Sequence, residues 1–293
     1  MEGVPVVVSP RPHFTVPLAH GHALVLGPRT LVMGILNVTP DSFAGGVTDP
    51  DVAAGLAFRM EADGADIIDV GGESTRPGAD PVSEADELAR VVPVIERLAG
   101  RLRVPVSIDT HKAAVARAAI GAGASIVNDI SGLGYDPGLG GVVAGTGAGL
   151  VLMHMRGQPR DMYREAAYGD VVAEVTAELQ QALERADAAG VPRAQVVLDP
   201  GIGFAKRADQ SRAVLANLAG LAILGRPLLV GPSRKSFLVD AWAPLPPVER
   251  DWGTAAAVTV AVMGGAHIVR VHNVAAMLQA ARVADTLRAP AGV

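Results

Sequence analysis

The sequence predicts an α/β chain folded as a (β/α)8 TIM barrel with a short N-terminal extension, and three observations lead there. Short apolar, β-branched runs recur eight times along the 293 residues. Each is followed by a turn rich in Gly, Asp, Ser or Pro, and each turn leads into a stretch of helical character. Near-continuous apolarity marks strands covered on both faces, as in parallel sheets, whose crossovers the helices supply. Eight such units in succession suit a closed barrel; a doubly wound open sheet is the alternative arrangement of the same units.

In order, the runs are residues 31–38 (LVMGILNV), 65–71 (ADIIDVG), 104–110 (VPVSIDT), 125–131 (SIVNDIS), 149–155 (GLVLMHM), 194–201 (AQVVLDPG), 226–233 (RPLLVGPS) and 266–273 (AHIVRVHN). The helices carry end signals. Glu84 to Leu98 follows Ser83 as N-cap, with Asp86 and Glu87 in the first turn and Gly100 past the end. Val171 to Ala189 is amphipathic and closes on Gly190-Val191-Pro192. Residues 1–30 precede the first run as an N-terminal extension, in which His13 to Leu26 is expected to form a hairpin across Gly21 that plugs the N-terminal end of the barrel. No linker divides the remainder, so residues 31–293 are expected to form one barrel domain.

A net charge of −5 fits neither a broad nucleic-acid footprint nor a polybasic membrane surface, and 3% aromatic residues leave little for base stacking. The absence of cysteine removes disulfides, thiolate metal sites and Cys nucleophiles, and suits a reducing compartment. The N-terminus MEGVPVVVSPRPHF lacks the pattern of a signal peptide, so a cytoplasmic protein is expected. Two stretches without charge, Pro137 to Met155 and Trp252 to Val269, divide more naturally into a helix, a turn and a buried strand than into membrane spans.

In such a barrel the chemistry sits on the loops that follow the strands. Uncommon polar residues fall there on every run. The first ends in Asn37, with Asp41 and Phe43 in the next loop; the second ends near Asp69 and leads into GGESTRPG with Glu73, Ser74, Thr75 and Arg76. Asp109, then Asn128 and Asp129, His154 and Arg156, and Asp199 close the next four. The seventh leads into Ser233, Arg234, Lys235 and Ser236, and the eighth ends in Arg270 and His272.

Taken singly, each has a structural reading. Asp109 and Asn273 suit helix N-caps, Ser233 to Ser236 suits a capped helix start with two solvated cations, and His154 suits a partly buried ring bonded to backbone. Caps do not require Asp, Asn, Lys, Arg and His to converge on one face, and that convergence favours a site. By charge the face divides in two. Asp109, Asn128 and Asp199 with Lys235 suit the donor-rich edge of a small planar heterocycle, whose N–H groups need partners when buried. Arg76, Arg270 and His272, with Asn37, suit a phosphate or pyrophosphate, and Asn37 or Asp41 would help to hold Mg²⁺.

The blocks MGILNVTPDSF, GADIIDVGGESTRPGA, VSIDTHKAAVARAA, ASIVNDISG, LMHMRG, LDPGIGFAK, GPSRKSFL and RVHNV run in that order from Met33 to Val274 and resemble the dihydropteroate synthase family. The resemblance implies condensation of 6-hydroxymethyl-7,8-dihydropterin diphosphate with 4-aminobenzoate to 7,8-dihydropteroate and diphosphate, a step of folate biosynthesis. It assigns the pterin to Asp109, Asn128, Asp199 and Lys235, and the diphosphate to Asn37, Thr75, Arg76, Arg270 and His272. It assigns 4-aminobenzoate, which sulfonamides mimic, to Phe43, Thr75, Pro77, Phe204, Arg234 and Ser236, and Mg²⁺ to Asn37 with Asp41 as a loop contribution. Asp109, Lys235, Arg270 and His272 would then carry catalysis. The partners implied are small molecules, without nucleic acid or membrane, and a homodimer through the last helices, Thr254 to Met263 and Val274 to Leu287.

Two departures stand out. The family usually continues NVTPDSF with S-D-G-G, whereas Ala44-Gly45-Gly46 follows Phe43 here, and the usual HDV reads His272-Asn273-Val274. The second exchanges one N-cap for another. An arylamine is neutral at pH 7 and needs no general base, so departure of the diphosphate is the expected barrier, crossed by an SN1-like substitution as the first two loops close over the reacting methylene. Two other readings compete. A pterin-binding methyltransferase barrel would share the Asp and Asn acceptors without needing the diphosphate group. A catalytically idle pterin-binding paralogue has the shortened first loop as its support.

Overall fold

Two antiparallel strands, β1 (Phe14–Pro17) and β2 (Ala23–Leu26), open the computed structural model, which describes residues 11–39, 47–76, 78–239 and 245–288. They alternate inward and outward side chains, as a ribbon with one buried face must. The eight apolar runs become β3 (Leu31–Asn37), β4 (Ile67–Gly71), β5 (Val106–Asp109), β6 (Ile126–Asp129), β7 (Gly149–Met153), β8 (Val196–Asp199), β9 (Leu229–Val230) and β10 (Ile268–Val271). All pair in parallel in the order β8-β7-β6-β5-β4-β3-β10-β9. A bridge between Leu198 and Leu228 joins the two ends of that order and completes the barrel.

One α-helix follows each barrel strand: α1 (Pro50–Ala62), α2 (Glu84–Leu98), α3 (Ala113–Ala122), α4 (Leu139–Thr146), α5 (Val171–Ala188), α6 (Ala208–Ala216), α7 (Asp251–Met263) and α8 (Val274–Arg288). The end signals behave as expected: Ser83 Oγ accepts from Asp86 N at 3.1 Å at the start of α2, and Gly100 takes a positive φ of 68° past its end. The seventh run shrinks from the eight residues of the sequence reading to a two-residue strand. Pro227 and Pro232 bound it, and proline has no N–H to donate to a ladder. Both uncharged stretches divide as expected, into α4 with β7 and α7 with β10. No helix among the described residues is long and apolar enough to cross a membrane.

Two layers of core hold the barrel. The larger lies between strands and helices. The smaller lies inside the N-terminal end, where Val16, Leu18, Leu24 and Leu26 of the hairpin region meet Leu31, Met33, Ile126 and Ile268 from the strands. The hairpin therefore closes one end with apolar side chains, and the polar strand ends are left to face the other. Arg11 ties the preceding segment down by donating to the carbonyls of Gly27 and Ala266 and pairing with Asp285 of α8 at 2.7 Å.

His267, buried just before β10, completes this anchor. Its Nδ1 accepts from Leu228 N at 3.1 Å and its Nε2 donates to the Pro12 carbonyl at 3.0 Å, so the ring is bound as the neutral tautomer. Burial pulls it down to about 4, from an ordinary 6.5. A histidine whose folded value lies below its unfolded one contributes stability above the unfolded value, and that contribution is lost as pH falls. Thermal melting should therefore drop between pH 6.5 and 4, and His267→Gln should flatten part of that drop in a scan of melting temperature against pH.

Candidate active site

Side chains from four strands, β4, β5, β6 and β10, build the floor of the open end. Asp69 of β4 is fully buried, and its Oδ2 accepts from Arg270 Nε of β10 at 2.6 Å and from Asn128 Nδ2 of β6 at 3.0 Å. A second edge of the same guanidinium donates from Nη2 to Asp109 Oδ2 of β5 at 2.6 Å. The planar fork of arginine matches two carboxylates in this way, where a lysine would offer one point charge. Burial pushes the Asp109 carboxyl up to about 7, against the pull of Arg270 and with the help of Asp69. Asp109 is thus a floor residue; the N-cap position of α3 falls to Lys112.

Beside the floor, the turn after β8 folds back sharply. Gly201 has φ 65°, and a Cβ there would lie 2.0 Å from the His154 carbonyl, so no other residue fits. Asp199 Oδ1 accepts from Gly201 N at 2.7 Å, and Asp199 is nearly inaccessible. Across from it, Lys235 Nζ donates to the Ile202 carbonyl and sits 4.3 Å from the centroid of the Phe204 ring. Burial pulls Lys235 down to about 7, opposed by Asp199.

The loop after β9 is locked in an unusual conformation. Arg234 has φ 59°, and its backbone is held at both ends: its N–H donates to Thr254 Oγ1 at 3.0 Å and its carbonyl accepts from Arg250 Nη1 at 3.0 Å. Its guanidinium pairs with both oxygens of Asp251, at 2.8 and 3.1 Å. The two cations of this turn are therefore bonded within the protein, where a solvated pair was the structural reading of the sequence. Asn273 donates to the same Asp251 at 2.8 Å and caps α8 through Ala276 N at 3.3 Å. The cap expected of the Asp-to-Asn exchange is present, and the amide adds a donor that a carboxylate lacks. His272 Nδ1 bonds Ser233 Oγ at 2.9 Å, and burial among Arg234, Arg270 and Arg76 pulls the ring down to about 3.

These pieces enclose a cavity of about 360 Å³. Asn37, Thr75, Arg76, Asp109 and Phe204 line it, as do Arg234, Lys235, Ser236, Arg270 and His272. Asn128 and Asp199 are buried beside it without lining it, and Asp41, Phe43 and Pro77 fall outside the described residues. Several contributors carried no role in the sequence reading. Asp69 sat in view as an acid inside an apolar strand. Glu73 is held by Lys112, which also reaches Glu87 and the Val82 carbonyl and so ties both stems of the loop after β4 to α2. Met162 and Tyr163, from the loop after β7, line the cavity without any motif to announce them. His154 departs from expectation: its ring bonds two side chains, Glu178 and Lys206, and no backbone group among the described residues.

A family model for pterin binding enzymes matches residues 33–272. The dihydropteroate synthase of Synechocystis sp. is 48% identical over 278 residues, covering 94% of this chain and 96% of that protein. The chain belongs to the dihydropteroate synthase family. Among solved structures, the Yersinia pestis dihydropteroate synthase with a sulfonamide drug complex superposes with a TM-score of 0.88 at 44% identity, covering 94% of this chain and 99% of that one. The Burkholderia cenocepacia dihydropteroate synthase complexed with 7,8-dihydropteroate gives 0.84 at 44% identity, covering 94% and 97%.

Among the described residues, no group of three or more His, Asp or Glu is placed to hold a metal alone. A Mg²⁺ ion that keeps several waters and takes oxygens from a substrate phosphate needs only one or two protein oxygens, and the Asn37 amide at the cavity wall fits that requirement. Removing the floor arginine should leave two carboxylates facing each other. Arg270→Ala is expected to cost roughly 3–5 kcal/mol of stability, measured by urea unfolding, in addition to any loss of turnover.

Proposed function

We propose that the cavity holds 6-hydroxymethyl-7,8-dihydropterin diphosphate over the floor and admits 4-aminobenzoate beside it, giving 7,8-dihydropteroate and diphosphate. The observation that carries this reading is the pairing, in one cavity, of a buried Asp69–Arg270–Asp109 floor with a rim of Arg76 and His272. The floor offers acceptors to an amino-substituted ring through Asp109, Asn128 and Asp199, with Lys235 as the donor. The rim, with Asn37 and Thr75, offers donors to the phosphates, and Arg270 stands between the two groups. Phe204, Ser236 and the Arg234 loop flank the place left for the aminobenzoate, to which the family resemblance would add Phe43 and Pro77.

The C–O bond to the diphosphate breaks first, and its electron pair leaves with the phosphate oxygen. Arg76, Arg270 and neutral His272 stabilise the charge that develops there, the kind of contribution preorganised donors make best. Bound by Asn37, with Asp41 from the first loop, Mg²⁺ would supply further charge neutralisation at the leaving group. The dihydropterin shares the positive charge left on its methylene, and the Asp109 carboxylate favours that cation over the neutral ground state. The arylamine lone pair then forms the C–N bond, and its proton passes to solvent.

A methyltransferase barrel would have no use for the rim donors. The outer faces of α7 and α8 leave Trp252, Val260, Val283 and Leu287 exposed, and we assign them to a homodimer contact in a cytoplasmic enzyme. Incubation with both substrates and Mg²⁺ should release diphosphate and dihydropteroate in equal amounts, and Lys235→Ala should reduce turnover at least about 100-fold. Absence of diphosphate release from the unmodified protein at every Mg²⁺ concentration would overturn the reading. Trp252→Glu combined with Leu287→Glu should shift the mass in solution from dimer to monomer by light scattering.

A further inference from the structure

Lys206, three residues past the turn after β8, is 1% exposed and lines no part of the cavity. Its Nζ has three partners: the carbonyls of Gly201 and Phe204, each at 3.1 Å, and His154 Nδ1 at 2.8 Å. An ammonium carries three protons, and all three are taken. His154 Nδ1 must then accept, so its Nε2 carries the proton and donates to Glu178 Oε2 at 2.9 Å. Glu178 is held in turn by Arg156, which reaches Glu174 at 2.7 Å and the Ala167 carbonyl at 2.6 Å. A neutral His154 thus bridges the cation of Lys206 to the carboxylate of Glu178, which Arg156 balances. Burial and Lys206 pull His154 down to about 4, in keeping with a neutral ring.

The loop so held is short and strained, with Ala205 at φ 46°. Carbonyls at 201 and 204 point to Lys206, while the carbonyl between them, of Ile202, takes Lys235 from the cavity side. Lys206 thus fixes the peptide groups of Gly201 and Phe204, on either side of the one that takes Lys235, and with the second of them the place of the Phe204 ring. We propose that Lys206, through the His154–Glu178 pair, is a positioning residue for the 4-aminobenzoate side of the site. The proposal rests on the function assigned above.

The test is steady-state kinetics on Lys206→Met and Glu178→Gln with each substrate varied, together with calorimetric binding of a sulfonamide in the presence of diphosphate and a non-reactive pterin. Methionine keeps the length of the side chain without its donors, and Glu178 is accessible enough for an amide to be tolerated. The KM for 4-aminobenzoate and the sulfonamide Kd should rise about tenfold in Lys206→Met, and less in Glu178→Gln, while the KM for the pterin diphosphate moves less than about threefold. If Lys206→Met fails to fold, Glu178→Gln decides. Equal changes in both KM values, or no change in either, would overturn the positioning role. An unmodified protein that makes no product would instead sink the function assigned above.

Discussion

The site depends on one guanidinium, set largely out of solvent at the cavity floor. Arg270 lies at the centre of the barrel mouth with Asp69 on one edge and Asp109 on another, and each of these acids comes from a different strand. A charge in that place is costly unless it is paired and fully bonded. The pairing fixes three strands relative to each other and leaves the floor with more acceptors than donors. That imbalance is what an amino-substituted ring needs, because its own N–H groups supply what is missing. Burial holds the Asp109 carboxyl high, with Asp69 adding to it, against the pull of Arg270.

Around this floor the protein uses backbone geometry to aim side chains. Gly201 passes so close to His154 that a methyl group would collide with its carbonyl, and Arg234 occupies a left-handed conformation secured by Thr254 and Arg250. Such conformations persist only where their surroundings over-determine them. Here the surroundings are two lysines and a cluster of arginine–carboxylate pairs around the loops after β7, β8 and β9, so this side of the cavity is built from loops held by paired charge. The stems of the loop after β4 are tied by Lys112, Glu73 and Glu87.

The opposite end of the barrel makes the site one-sided. Leu18, Leu24 and Leu26 cover the N-terminal mouth, and Arg11 and His267 hold the leading segment against α8 and β10. With that end filled by apolar side chains, the cavity lies at the other, among the loops that carry Arg76, Lys235 and His272.

The sequence by itself determined the repeat of strand and helix, because period and polarity are local: apolar runs such as residues 31–38 and 149–155 read as strands covered on both faces, and only the tertiary structure closes them into a barrel instead of an open sheet. It also placed the polar strand ends on one face, since parallel strands all point the same way, and ten of the residues given a ligand role line the cavity together. What the tertiary structure alone decided is partnership. Nothing local tells Asp69 that its mate is Arg270, some two hundred positions away, or that Lys206 will meet His154 across the turn after β8. Arg234 and Asn273 reach the same Asp251 for the same reason. A side chain's chemistry is written at its own position, but its partner is chosen by the closing of the barrel, which brings together residues that the chain keeps far apart.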